Sequence, residues 1–341
     1  MPGSIVPALH PGDYERVVVF FANALGDQIL ALPTLRALSR RFDGRFTLLT
    51  IEGPLDLTFG DVPRDRTVKI DISYEGEFDV AAAADAVGAA ELVICPQTWH
   101  SDSISALLDR LAPPASVGLD PRFSIELPLD RDVHQVDQMF ATCQVFGETR
   151  QPEAFATPFG LPAASVELAE GVREAMGGRP LLVVHTETKL PKQWPIEKWN
   201  RTIVAFMDAF PDYAVIAVSR HAHSLESLTP EVHRLSGLPL ASAAAMFAAG
   251  DVFLGVDSYP LHVADLWQVP AVGLFGPSNL REFGCRFTPC AAHVDGGGTM
   301  DGIHPEQVLE KLAEVVNQSR AFPRAYPLGG FSAPVVTLRY R

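Results

Sequence analysis

The chain is short of cysteine, of cations and of long apolar runs, and each shortage removes a class of protein. Its four cysteines (Cys95, Cys143, Cys285 and Cys290) are scattered over 341 residues, and the Cys285/Cys290 spacing is not that of a CxxC clamp. A disulfide framework or a zinc site is therefore not expected, and a reducing cytoplasm is the expected compartment. No apolar stretch reaches the roughly 18 residues of a membrane-spanning helix. Residues 1–14 lack the basic stretch and apolar core of a secretion signal. Lys and Arg number 27 against 41 Asp and Glu, a net charge of −14. Nucleic-acid binding needs clustered cations to neutralise phosphates, so no nucleic-acid partner is expected. The same charge disfavours an anionic bilayer and leaves peripheral membrane contact at most. Two phosphate-binding fingerprints are missing as well: no strand-to-helix turn carries GxGxxG, and GxxxxGK[ST] does not occur.

What remains is the composition of a folded α/β protein, 47 % hydrophobic and 20 % charged, with room for two domains. Short apolar, β-branched runs alternate with helical patterns, as parallel βα units require. Strands are predicted at residues 16–22, 46–51, 68–72, 92–95 and 116–119, then at 181–185, 214–219, 252–256 and 271–275. Between the two sets lies a stretch rich in Pro, Ala and Gly, residues 151–164, which reads as an interdomain linker. The expected division is 1–160, 165–316 and a tail, 317–341, that the pattern does not place. Ile196, Trp199, Ile203, Phe206, Met207 and Phe210 recur with a helical period behind Pro195, which predicts a helix over 195–210. A second is predicted over 305–316, and the glycines 296–298 are expected to form a mobile loop. The acidity is uneven: residues 1–150 carry 12 Lys/Arg against 22 Asp/Glu, a balance of −10.

Two turns about 230 positions apart carry the chemistry. Asp27 lies in Ala24-Leu25-Gly26-Asp27, after the run Val17 to Phe21 and at the start of a helix bearing Ile29, Leu30, Leu35 and Leu38. That places its carboxylate at the carboxyl end of a strand, where open parallel sheets bind ligands. The alternative is an acid that merely offsets the helix dipole. Asp257, Ser258, Tyr259 and His262 lie in DSYPLH after the strand 252–256, where the amides opening the next helix are expected to hold an anion. A structural Asp capping that helix is the competing reading. Lys192, in KLPKQWPIEKW, follows the strand 181–185 and is placed to reach a phosphate, or else it is a solvated loop lysine. Thr186 and Thr188 add hydroxyls to the same loop, and Gly276 in LFGPS permits close backbone approach. A carboxylate at one turn and an anion-holding turn at the other point to group transfer from a phosphorylated donor.

The segments LGDQILALPTLRALSRRF, KQWPIEKW and AAGDVFLGVDSYPLHVADLWQVPAVGLFGPS, in this order and spacing, resemble the successive motifs of the bacterial ADP-heptose:lipopolysaccharide heptosyltransferase family over about residues 16–316. The resemblance implies a GT-B fold, two facing Rossmann-like domains with mainly parallel sheets and an interdomain cleft. It implies an inverting, metal-independent glycosyltransferase that needs no cofactor. The donor is then a nucleotide diphosphate sugar, ADP-heptose favoured, and the acceptor a small molecule or glycolipid.

By motif position, Asp27 falls on the proposed general base and Lys192 on the lysine at the donor phosphates. Thr188 falls on the phosphate loop beside Thr186. Asp257, Ser258 and His262 fall on the donor turn, and Leu238 where an apolar side chain packs on the base. Met300-Asp301-Gly302-Ile303 matches an MxxI-type helix start, with Thr299 where a Cys is often found. Two positions depart from the pattern. Glu187 stands where relatives have a small hydroxylated residue, and Tyr259 where they have Gly. The nucleotide-side glutamate has no clear match, Glu226 being a weak one. The rival expectations are a nucleotide-sugar epimerase or hydrolase and a catalytically silent nucleotide-sugar-binding protein.

Overall fold

The computed structural model describes residues 9–320 except 52 and 54, together with 326 and 328. The tail assigned to 317–341 therefore lies largely outside the described residues. The chain divides into two compact units, Met1–Thr157 and Pro158–Arg341.

In unit 1 six strands, β1 (Val17–Phe21), β2 (Thr47–Ile51), β3 (Arg66–Ile70), β4 (Leu92–Cys95), β5 (Ala115–Gly118) and β6 (Ile125–Glu126), pair in the order β3-β2-β1-β4-β5-β6, all parallel. The helices are α1 (Leu25–Arg41), α2 (Leu55–Thr58), α3 (Val80–Val87), α4 (Asp102–Leu111) and α5 (Gln135–Gln144). Every residue of β1 and β4 is buried, as expected of central strands covered on both faces. Val18, Phe20, Val93 and Cys95 share one core with Ile104 and Leu107 of α4. The apolar positions expected to face the core from α1 (Ile29, Leu30, Leu35 and Leu38) are all at most 1 % exposed.

Unit 2 repeats the plan. Its strands are β7 (Leu181–His185), β8 (Ala214–Ser219), β9 (His233–Ser236), β10 (Val252–Val256), β11 (Ala271–Phe275) and β12 (Ala291–Asp295), in the order β12-β11-β10-β7-β8-β9. Counted from β7, this is the same 3-2-1-4-5-6 Rossmann pattern of central and flanking strands as in unit 1, read from the opposite edge. Its helices are α6 (Ala163–Ala175), α7 (Ile196–Ala209), α8 (His223–Glu226), α9 (Leu240–Ala249), α10 (Tyr259–Leu266), α11 (Leu280–Phe283) and α12 (Pro305–Ser319). Trp199, Ile203 and Phe206 of α7 pack with Val308 and Leu312 of α12 on one face of the sheet. No described helix is long and apolar enough to cross a membrane. All four cysteines are free thiols.

Several expectations need correction. Three strands, β6, β9 and β12, lie outside the predicted set. Within the stretch 151–164, Pro152–Phe155 forms a 3-10 turn, and the Arg36 guanidinium donates to the carbonyls of Phe155 (2.9 Å) and Thr157 (2.5 Å). The glycines 296–298 form a hydrogen-bonded turn. The Gly296 amide donates to the Phe275 carbonyl (2.8 Å), and a Cβ at Gly296 would stand 2.0 Å from the Thr299 carbonyl oxygen.

Candidate active site

In each unit the sheet changes winding direction between its first and fourth strands, β1 and β4 or β7 and β10, and the crevice at their carboxyl ends is the expected ligand position. Asp27 follows β1, Thr186, Thr188 and Lys192 follow β7, and the DSYPLH turn follows β10, whereas Leu238 and Gly276 follow β9 and β11.

In unit 1, Asp27 is half-buried in the first turn of α1, whose N-cap Ala24 offers no side-chain cap. At the carboxyl ends of β1 and β4 stands a hydrogen-bonded frame that sequence reasoning missed. Gln97 accepts from the Ala22 amide (3.0 Å), Gln28 donates to the Asn23 carbonyl (3.1 Å), and the Trp99 indole donates to the Asn23 side chain. Gln135 secures Thr98 (2.7 Å). His100 bonds Ser105 at 2.7 Å, and burial lowers its pKa against the opposing charge of Asp120. A signal for this frame exists in the sequence: Gln97 to His100 directly follow the strand 92–95, as Asp27 follows the run Val17 to Phe21. The guanidiniums of Arg64 and Arg66 bond to backbone carbonyls. Arg64 reaches Phe59 (2.6 Å) and Val62 (2.8 Å), and Arg66 caps α3 through Ala86 (2.8 Å) and Val87.

In unit 2, Lys192 and the DSYPLH turn come together. The Lys192 ammonium lies 2.5 Å from Asp257 Oδ2 and 3.3 Å from the Asp257 carbonyl. His262 Nε2 stands 3.4 Å from Oδ1. The Asp257 side chain is 5 % exposed and that of Lys192 35 %. Burial works to raise the Asp257 carboxyl, but the hydrogen bond and charge of His262, together with Lys192, outweigh it and hold the group well below the usual carboxylate range. Lys192 ends a 3-10 turn, Leu190–Lys192, and the residues on its C-terminal side anchor that turn. The Trp194 indole donates to the Ile303 carbonyl (3.2 Å), and Lys198 donates to the carbonyls of Asp301 (2.7 Å) and Ile303 (3.0 Å).

The N-terminus of α10 supplies fewer donors than expected. Pro260 has no N–H, and the amides of Leu261 and His262 donate to the Ser258 carbonyl, which leaves those of Ser258 and Tyr259. The Ser258 hydroxyl bonds the Val256 carbonyl (3.2 Å). The Tyr259 hydroxyl is buried without a partner among the described residues, and burial pushes its pKa up. Thr186 is buried and Thr188 half-buried on the β7 loop, and Leu238 is half-buried on the loop after β9. The close approach at Gly276 is made by the protein itself, since a Cβ there would stand 2.5 Å from Met300 Sδ and 2.7 Å from the Met300 amide. Glu226 is exposed at the end of α8.

Glu187 does not stand as an unpaired charge among these groups. Its Oε2 accepts from the Ser219 hydroxyl and from the amides of Arg220 (2.9 Å) and His221 (3.2 Å), and its Oε1 from His221 Nδ1 (2.5 Å). Burial alone would raise the carboxyl. The bonds from Ser219 and His221, with the two amides, outweigh it and bring the pKa down to about 2. No group of three or more His, Cys, Asp or Glu among the described residues is arranged to hold a metal ion.

Two Rossmann-like units of equal topology, with polar groups gathered at the carboxyl ends of the strands, define an α/β protein of GT-B type. Residues 101–295 match the profile of glycosyltransferase family 9 (heptosyltransferase), and the chain belongs to that family. Among solved structures it is similar to a glycosyl transferase family 9 protein from Veillonella parvula DSM 2008, with a TM-score of 0.73 and 19 % identity over 92 % of this chain and 100 % of the other. It is also similar to the E. coli ADP-heptose lps heptosyltransferase II, with a TM-score of 0.64 and 16 % identity over 89 % and 99 %. A third likeness is to the E. coli heptosyltransferase WaaC with ADP, with a TM-score of 0.63 and 17 % identity over 88 % and 99 %. No curated protein matches the chain.

Proposed function

We propose that this chain moves a heptose or related sugar, with inversion, from a nucleoside diphosphate sugar to an acceptor hydroxyl, and that ADP-heptose is the favoured donor. The observation that carries this reading is the Lys192–Asp257–His262 group at the β7/β10 switch point. It sets a half-exposed ammonium where a diphosphate is expected, in a chain of the heptosyltransferase family, and a relative of like fold was solved with ADP. Asp27 takes the proton of the acceptor hydroxyl as that oxygen bonds to the anomeric carbon. The carbon–oxygen bond to the diphosphate breaks, and its electron pair leaves with the nucleotide. Lys192 and the amides of Ser258 and Tyr259 offset the charge growing on the leaving group, an electrostatic role otherwise given to a metal ion. The reaction takes place in the cytoplasm and needs no metal.

The acceptor we propose is a neutral or cationic small molecule, such as an amino-sugar-containing metabolite. The −10 balance of residues 1–150 supports it, because like charges resist encounter with a polyanion. So does the engagement of Arg64 and Arg66 with backbone carbonyls. The relative named for lipopolysaccharide favours the other reading, an anionic core glycolipid. Purified protein incubated with ADP-heptose and either acceptor class, at low and high salt, separates the two by mass spectrometry of the product. Efficient transfer to a Kdo-terminated lipid and none to the amino sugars would overturn the acceptor proposal. Sugar release without any acceptor would replace transfer by hydrolysis or epimerisation, and donor binding with no turnover would make the chain a binding protein.

A further inference from the structure

The loop that joins β3 to α3, residues 71–79 (DISYEGEFD), is closed by an antiparallel bridge between Ile72 and Phe78. Inside it the Ser73 amide donates to the Glu77 carbonyl (2.8 Å), and the Gly76 amide to the Ser73 carbonyl (3.1 Å). The loop is also tied to the elements around β1 and β4. Phe78 packs on Phe20 of β1, with ring centroids 5.8 Å apart. Ser101 donates to the Gly76 carbonyl (2.8 Å) and Ser103 to the Glu77 carboxylate (2.5 Å). Gly76 has a left-handed φ of 87° and lies so close to Trp99 that a Cβ would stand 2.7 Å from its ring. The Trp99 indole in turn donates to Asn23, in the turn that leads to Asp27.

At the tip of this tied loop stands Tyr74, 90 % exposed, more than any other large apolar side chain among the described residues. Folding gains nothing from an aromatic ring left in water, yet the bonds at Ser73, Gly76 and Glu77 hold the backbone that presents it. The same nine residues carry four acids and no Lys, Arg or His. Two of the acids serve the fold: Asp79 caps α3 through the Ala82 amide (2.9 Å), and Glu77 accepts from Ser103. Asp71 and Glu75 are exposed and flank the tyrosine along the chain. An aromatic face among carboxylates attracts an ammonium group and repels an anion. An amino sugar brings that ammonium group together with an apolar C–H face that can lie on the ring. We infer that Tyr74, with Asp71 and Glu75, is the docking surface for a cationic amino sugar of the acceptor, which makes this loop a determinant of acceptor specificity. The inference rests on the acceptor reading proposed above and names the part of unit 1 that selects for it.

Titration calorimetry of the full chain with the tetramer of glucosamine and the tetramer of N-acetylglucosamine tests it. The two share a sugar skeleton, and at about pH 6 only the first carries ammonium groups. The wild type is expected to prefer the glucosamine tetramer about tenfold at low salt, a ratio that falls toward one in about 0.5 M salt. Asp71→Asn combined with Glu75→Gln should lower the ratio in the same way without added salt. Tyr74→Ala should weaken the glucosamine tetramer about threefold to tenfold, and Tyr74→Phe, which keeps the ring, should bind like the wild type. A wild type that binds both tetramers alike, or neither, overturns the inference. A preference indifferent to Tyr74→Ala overturns it too, because it then belongs to the general acidity of the chain. Tyr74-dependent binding with no transfer from ADP-heptose would instead overturn the acceptor reading while the loop remains an amino-sugar site, a result distinct from the other failures.

Discussion

Replacing Lys192 should cost more stability than replacing the aspartate it pairs with. Lys192→Met leaves the Asp257 carboxylate 5 % exposed with the imidazole of His262, its Nε2 at 3.4 Å, as its remaining side-chain neighbour. Removing one partner of a fully buried pair costs about 3–5 kcal/mol. Because the Lys192 side chain is 35 % exposed and water can enter behind it, about 2–3 kcal/mol is the reasonable expectation here. Asp257→Asn strands no buried charge: the ammonium turns to solvent and the amide still accepts a hydrogen bond, so a loss of about 1 kcal/mol is expected. In the double variant the stranded carboxylate is gone, and the costs should fall short of additivity by at least about 1 kcal/mol. Urea unfolding of the full chain measures this at neutral pH. Three of the four tryptophans, Trp194, Trp199 and Trp267, lie in unit 2, so indole fluorescence reports mainly on the unit that holds the pair. Lys192→Met should lower the midpoint by about 1 M urea. Equal costs for the two single variants, or a coupling below about 0.5 kcal/mol, would show that the buried carboxylate does not depend on Lys192.

Asp27→Asn should reduce turnover by about 10² or more with nucleotide affinity nearly unchanged, and near-wild-type turnover would remove Asp27 from the mechanism. EDTA should leave transfer unaffected, since Lys192 and backbone donors carry the leaving-group charge; loss on chelation restored by a divalent cation would contradict this. For Glu187 the folded pKa of about 2 lies below the ordinary value near 4.3. Its stabilisation is therefore complete above that ordinary value and lost as pH falls toward 2. Between about pH 5 and pH 2.5 the wild type should lose about 1–2 kcal/mol more than Glu187→Gln, after allowance for solvent screening. Parallel acid profiles for the two proteins would show that the bonds from Ser219 and His221 do not hold the Glu187 carboxyl low.

Features that depend on neighbours along the chain are legible in the residues alone. Central strands buried on both faces read as unbroken apolar runs, so β1, β4, β7, β10 and β11 stand out, and the residues just beyond their carboxyl ends point to Asp27, Lys192 and Asp257. The strands β9 (HRLS) and β6 (two residues) are short and largely uncovered, and β12 (AAHVD) is only partly buried. They carry little apolar signal, and hydrogen bonding to a neighbour defines them. The partners of the polar groups, by contrast, are fixed by the folded chain. Lys192 meets Asp257 across 65 positions because β7 and β10 are neighbours in the sheet. Glu187 reaches Ser219 and His221 across the β7/β8 pair, and Arg66 is taken up by the end of α3. A charge in a sequence can face phosphate, solvent or a carbonyl equally well, and which one it meets is set by sheet order and by the cost of leaving a buried polar group unpaired.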